Sequence, residues 1–97
     1  MNIRRKDIID NFIKNHADAL NALQRWVSIV AKAAWKSHAD IKTGFPSADY
    51  VGNERYVFNI RGNTYRMVVV VAFVVGLLTV RFLGTHGEYD KIDCKTI

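Results

Sequence analysis

The sequence predicts an α+β domain: two N-terminal helices packed on a small antiparallel β-sheet meander, with a short helical turn at the C-terminus. Three observations predict it. Apolar residues recur at helical spacing through the first third of the chain, β-branched and aromatic runs separated by turn chemistry fill the second half, and the links between those runs are short. Short links favour antiparallel neighbours, because a parallel pair needs a long crossover. The 97 residues fit one domain spanning 1–97, with a helical half over about 5–42 and a strand half over about 55–92.

Ile8, Ile9, Phe12 and Ile13 form the apolar side of the first helix, with Arg5, Asp10, Asn11, Lys14 and Asn15 largely opposite. Asp7 places an acid in its first turn, where the helix dipole favours it. In the second helix Leu20, Leu23, Val27, Val30 and Ala34 make one stripe and Ala22, Trp26, Ile29 and Ala33 its neighbour, with Asp18 read as the N-cap and the polar sector running to Lys36. Ser37 reads as the cap of a short helical turn with Asp40 at its third position. Thr43 to Asp49 is loop chemistry around Pro46. Strands are expected at Tyr56–Ile60, from Tyr65 to about Val74, and at Leu77–Leu83, the first two joined by the turn Arg61-Gly62-Asn63-Thr64 and the last two near Gly76. The stretch from Gly84 to Ile92 leaves the last strand and starts the terminal helical turn.

The second hairpin is apolar on both faces. Val68, Val70, Ala72 and Val74 fall on one side and Met67, Val69, Val71, Phe73 and Val75 on the other, where a sheet with helices on one side should alternate. That pattern points to a strip, including Val74 and Leu78, covered by a partner chain. The run is too short, too rich in valine and too interrupted by Gly76 for a membrane-spanning helix, so no membrane partner is expected.

Composition narrows the function. Fourteen Lys and Arg against nine Asp and Glu give a net charge of +5, which suits an anionic partner. One cysteine, Cys94, makes neither an internal disulfide nor a Cys-rich zinc site, and the basic N-terminus leads into Asp7 without an apolar segment; a reducing cytoplasm is the expected location. There is no phosphate-binding glycine loop with its lysine, no nucleophile elbow and no spaced metal-ligand set, so no cofactor or metal is called for. What remains is a concentration of polar side chains at the strand ends. Arg61 and Arg66 flank a turn, and His86, Glu88, Tyr89 and Asp90 follow the last strand. In a meander, the start of the second strand and the end of the third share one edge of the sheet, which brings the neighbourhoods of Arg66 and His86 together. Arg, His and Tyr suit metal-free RNA cleavage: a base takes the ribose 2′-OH proton, a cation stabilises the phosphorane, and an acid protonates the leaving 5′-oxygen.

The run Tyr56-Val57-Phe58-Asn59-Ile60-Arg61-Gly62-Asn63-Thr64-Tyr65-Arg66, followed by Gly84-Thr85-His86-Gly87-Glu88-Tyr89-Asp90-Lys91-Ile92, closely resembles HigB-type toxins of the RelE-like superfamily. Trp35-Lys36-Ser37, Asp40-Ile41-Lys42, Phe45-Pro46-Ser47-Ala48 and His16-Ala17-Asp18-Ala19 extend the resemblance over almost the whole chain. It departs at the second hairpin, where Val70 to Leu78 carries no charge. The resemblance implies a RelE-like fold and an mRNA-cleaving endoribonuclease that acts on messages engaged by ribosomes. It also implies neutralisation by a HigA-type helix-turn-helix antitoxin, with promoter DNA contacted only through the antitoxin complex. By the same resemblance, Arg66 stabilises the phosphate, His86 transfers protons, and Tyr89 stacks on a base or joins the proton transfer. Lys36, Lys42, Arg61 and Asn59 would bind RNA, and Asp90 would support the site. The alternative is a non-catalytic inhibitor of the same fold, directed at RNA, the ribosome or gyrase.

Overall fold

A computed structural model describes residues 1–97. The elements are β1 (Asn2–Arg4), α1 (Lys6–Asn15), α2 (Leu20–Lys32), α3 (His38–Gly44), β2 (Asp49–Gly52), β3 (Arg55–Ile60), β4 (Tyr65–Ala72), β5 (Leu77–Thr85) and α4 (His86–Tyr89). Strands β3 to β5 fall where the three strands were expected and pair antiparallel, and β2 adds an unexpected antiparallel strand at the β3 edge. The sheet has five strands in the order β1-β5-β4-β3-β2, because β1 joins the edge of β5 in parallel. The helical α1–α2 layer covers one face.

Alternation along the strands assigns the two faces. Phe58, Ile60, Tyr65, Met67, Val69, Val71, Leu78, Val80 and Leu83 point to the helices and join Leu23, Trp26 and Val30 of α2 in one buried cluster. Its aromatic centre is Phe58, edge-on to Trp26 with ring centroids 5.6 Å apart and to Phe45 at 5.0 Å, and stacked with Trp35 at 6.3 Å. Reaching Phe58 with Trp35 requires the chain to leave the helix early. Ala33 is already extended (φ −76°, ψ 149°), so α2 stops at Lys32 and Ala34 and Lys36 lie outside it. The last carbonyls of α2 are taken by the Met1 amino nitrogen, which donates to Val30 O at 3.0 Å and to Ala33 O, a cation at the negative end of the helix.

Several expected details change. Asp18 does not cap α2: it sits in a 3-10 turn (Ala17–Ala19), Ala19 has helical dihedrals, and the Asp18 carboxylate instead accepts from Tyr65 Oη at 2.7 and 3.0 Å and pairs with Arg61 at 3.3 Å. Ser37 precedes α3 without a side-chain cap bond, and Asp40 accepts from the Lys36 backbone N–H. The loop expected up to Asp49 gives way to β2, a short edge strand paired through Asp49–Val57 and Tyr50–Tyr56. The strand half therefore starts before residue 55, and β1 adds a strand within the helical half. Strand β4 ends at Ala72, and Phe73–Val75 forms a 3-10 turn closed by Gly76 at φ +66°.

The two-sided apolar strand is explained mainly within the chain. Val57 and Val68, paired across β3 and β4 on the face away from the helices, are buried yet lie outside the helix-side cluster. Residues 90–97 cross that face from α4 to the β2–β3 turn, where Asn53 Nδ2 donates to Lys95 O and Arg55 donates to Ile97 O. The strip expected to await a partner thus contracts to the hairpin tip: Val74 is 100% and Val75 71% exposed, whereas Leu78 is 0% exposed. Truncating Leu78 to Ala should cost about 2–5 kcal/mol, and Val74→Lys should stay within about 0.5 kcal/mol of the parent. Urea midpoints decide it, and equal midpoints for the two variants would contradict this division.

Candidate active site

The far end of the open sheet face is built by one row of the ladder. Asn59 of β3 pairs with Arg66 of β4, and Arg66 pairs with Gly84 of β5, so the three positions share a face. Gly84 is required by space: a Cβ there would lie 2.7 Å from the Phe82 ring, 2.9 Å from a Glu88 carboxylate oxygen and 3.3 Å from Glu88 Cβ. One residue later the chain reverses. Thr85 caps α4 through a capping box, in which its hydroxyl accepts from the Glu88 N–H at 3.2 Å and the Glu88 carboxylate accepts from the Thr85 N–H at 2.9 Å. The Thr85 N–H, helped by the Thr85 hydroxyl, holds the Glu88 carboxyl below the usual carboxylate range.

The reversal carries Tyr89 back over β4, where the Arg66 guanidinium carbon stands 4.8 Å from the Tyr89 ring centroid, a cation–π contact. Burial pushes the Tyr89 phenol above its ordinary pKa, helped by hydrogen bonding to Cys94 and opposed by the Arg66 cation. At neutral pH the phenol therefore keeps its proton and is a donor. Arg66 Nε and His86 Nε2 are both buried without a hydrogen-bond partner. The third such side-chain atom in the chain, Trp26 Nε1, belongs to the core. Unpaired buried polar atoms cost stability, so two of them at one end of the sheet mark groups kept free for something else. The three surface grooves of the molecule lie between α1 and α2, beside Trp26 at the β3–β4 turn, and around Met1 and the Phe73–Gly76 tip. Arg66, His86 and Tyr89 line none of them. A shallow sheet face suits a polymer better than a small molecule, which needs an enclosing pocket.

Of the residues expected at the site, Arg66, Asn59, His86, Tyr89 and Asp90 come to this end of the sheet. Asp90 follows α4, exposed, with its N–H donating to His86 O at 2.9 Å. Arg61 lies in the adjoining turn in a left-handed conformation (φ 54°), its guanidinium paired with Asp18. Lys36 and Lys42 are elsewhere. Lys36 lines the groove beyond the opposite end of β4, and Lys42 Nζ is tied to Ala48 O at 2.8 Å. Register adds two basic residues to the open face, Arg4 and Arg55, through the row Arg4–Thr79–Val70–Arg55. Extending the β3 alternation by one residue beyond Tyr56 would have found Arg55; Arg4 depended on a three-residue strand with no periodicity to read.

The sequence profile of the family described as HigB_toxin, RelE-like toxic component of a toxin-antitoxin system, matches residues 19–92, a segment that contains every residue of this end of the sheet. The mRNA interferase HigB of Escherichia coli O6:H1 is 30% identical over 80 residues, covering 80% of this chain and 75% of that protein. The mRNA interferase toxin HigB of Escherichia coli strain K12 and the mRNA interferase HigB of Shigella flexneri are each 39% identical over 64 residues, 63% of this chain and 61% of theirs.

Removing the cap tests how the site is held. Thr85→Ala should lower stability by about 1 kcal/mol, read from denaturant midpoints. The Glu88 pKa is depressed in the folded state, so its contribution is complete above the ordinary glutamate range and is lost as pH falls through the depressed value. Glu88→Gln should accordingly flatten the acid limb of the stability profile. An unchanged acid limb would mean that the capping carboxylate contributes nothing.

Proposed function

The chain belongs to the HigB toxin family, the RelE-like toxic components of toxin–antitoxin systems, and from that premise we propose that it is an endoribonuclease that cleaves mRNA on the open face of its sheet. The observation that carries this reading is the pair of unpartnered buried nitrogens, Arg66 Nε and His86 Nε2, beside a protonated phenol. In the proposed reaction, His86 takes the proton from the ribose 2′-OH and the 2′-oxygen attacks the adjacent phosphorus. Arg66 stabilises the charge that builds on the non-bridging oxygens, and the bond to the 5′-oxygen breaks as that oxygen receives a proton. The products are a 2′,3′-cyclic phosphate and a free 5′-OH. Tyr89 has the proton to give, and its ring also offers a stacking surface. Asn59, beside Arg66 in the ladder, supplies an amide to the RNA backbone or a base edge, and Asp90 supports the α4 end.

Messages engaged by ribosomes are the proposed substrate, the chemistry proceeds without a metal, and a HigA-type antitoxin is the proposed inhibitor. The net charge of +5 and the arginines of the open face support a polyanionic substrate. Lys36, Lys42 and Arg61 remain candidates for outer contacts with RNA or ribosome, away from the bond that breaks. No helix of the protein is long and apolar enough to cross a membrane.

Primer extension on mRNA in a translating extract is the test. The intact chain should produce new 5′ ends that vanish when antitoxin is added. Arg66→Ala should lose about 10²–10³ in cleavage rate, and His86→Ala about 10²–10⁴. Tyr89→Phe keeps the ring and deletes the hydroxyl; loss of activity assigns the phenol to proton transfer, and retention assigns the ring to stacking. Wild-type rates in folded Arg66→Ala and His86→Ala would move the active site elsewhere.

A further inference from the structure

Arg55 stands at the other end of the open face from Arg66, and each of its three guanidinium nitrogens makes a hydrogen bond. Nε and an Nη donate to Ile97 O at 3.2 and 2.7 Å, and the second Nη donates to Asn53 O at 2.8 Å. Asn53 Nδ2 adds a bond to Lys95 O at 3.1 Å. An isolated surface arginine seldom spends every donor arm on main-chain oxygens, and two of these three bonds go to a segment more than forty residues away. Between that anchor and α4 the chain turns on Asp93, which accepts from Lys95 N, Thr96 N and Ile97 N. Cys94 lies within that turn, half-buried, two residues after Ile92, whose N–H donates to Tyr89 O at 3.2 Å.

We propose that Arg55, with Asn53, is a positioning residue for the candidate active site: by pinning residues 95–97 to the β2–β3 turn it presses the Cys94 turn against Tyr89 and holds that ring over Arg66. The inference rests on the reading of Tyr89 and Arg66 as site residues and goes beyond it, because Arg55 touches neither the reacting atoms nor Tyr89. The path is physical and short. Helix α4 has only four residues and one capping box, too little to fix a ring on its own. Val57 and Val68 are buried on the sheet face that the segment crosses, and charge-assisted bonds from Arg55 hold its end. The Arg66 guanidinium from β4 lies against the Tyr89 ring, and the pinned turn begins at the Ile92 N–H bonded to Tyr89 O. If the anchor is released, the phenol loses its cover and its sulfur neighbour, while Arg66 stays on a rigid strand.

Cys94 is the sole cysteine, so its reaction with an aromatic disulfide reagent reports the pinned turn directly. In Arg55→Ala the labelling rate of Cys94 should rise on the order of tenfold, as expected for a local opening that no longer needs the anchor to break. The Tyr89 phenol, followed as the difference between each protein and its Tyr89→Phe counterpart in an ultraviolet titration, should ionise at lower pH than in the parent. Cleavage should fall by about 10- to 100-fold, the scale of a reacting group displaced by an ångström. Arg55→Lys, with a point charge in place of the fork, should fall between parent and alanine variant on all three readouts. Asn53→Ala, which leaves Arg55 in place, should raise labelling less and guards against a variant that fails to fold. Fast labelling with parental cleavage and parental phenol titration would overturn the proposal, as would unchanged labelling in both alanine variants. If Arg66→Ala cleaves like the parent, the site reading falls, yet labelling and phenol titration still decide whether Arg55 holds Tyr89.

Discussion

Strand β4 is the constraint around which the molecule is arranged. It is the middle strand, bonded along its length to β3 on one side and β5 on the other, and its side chains must be buried in both directions. Met67, Val69 and Val71 drive the helices onto one face. Val68, on the reverse, needs a second cover, and α4 with the crossing segment supplies it. The candidate site exists because that second cover is incomplete. At Arg66 the strand presents a cation instead of a valine, and there the covering chain offers an aromatic ring and leaves two nitrogens without partners. The candidate site sits where apolar burial of the central strand stops.

The elements legible in the sequence were those with sustained periodicity. The α1 and α2 stripes and the β3, β4 and β5 runs each repeat their pattern over several residues, and the turns at Arg61–Thr64 and near Gly76 carry their own chemistry. The missed strands are β1 and β2, three and four residues long, which exist because a neighbouring edge was free to pair and not because their own sequence demanded it. Asp18 shows the competing pull at a boundary. Its residue type and position suit a helix cap, but Tyr65 and Arg61 claim the carboxylate from across the fold. Ala34 and Lys36 fit the helical stripe, yet burying Trp35 against Phe58 ends α2 before them.

The site divides along the same line. The nearness of the Arg66 and His86 neighbourhoods was readable because strand pairing is close to arithmetic once the hairpin is placed, whereas Asn59 rests on resemblance until the register sets it beside Arg66. Lys36 and Lys42 were chosen for charge and resemblance, and nothing in local spacing showed that one would line a distant groove and the other would bind a loop carbonyl. Arg55 was invisible for a different reason. Its importance lies in main-chain oxygens forty residues away, and a backbone acceptor leaves no mark on the sequence.

The parallel pairing of β1 with β5 has a bearing on the order of folding. Asn2 bonds through its N–H to Gly76 O, and the ladder continues from Leu77 to Thr79, so β1 pairs with a strand far along the chain, beyond three helices and three other strands. Contacts of such separation form late, after the costly closure of a long loop. His86 and Tyr89 lie further along the chain, and the residues that pin the Cys94 turn further again. Local helices and the β3–β4 hairpin need no such closure and precede the complete sheet. Such an order of assembly means that the end of the sheet carrying Arg66, His86 and Tyr89 takes shape only after the helices and the β3–β4 hairpin that support it.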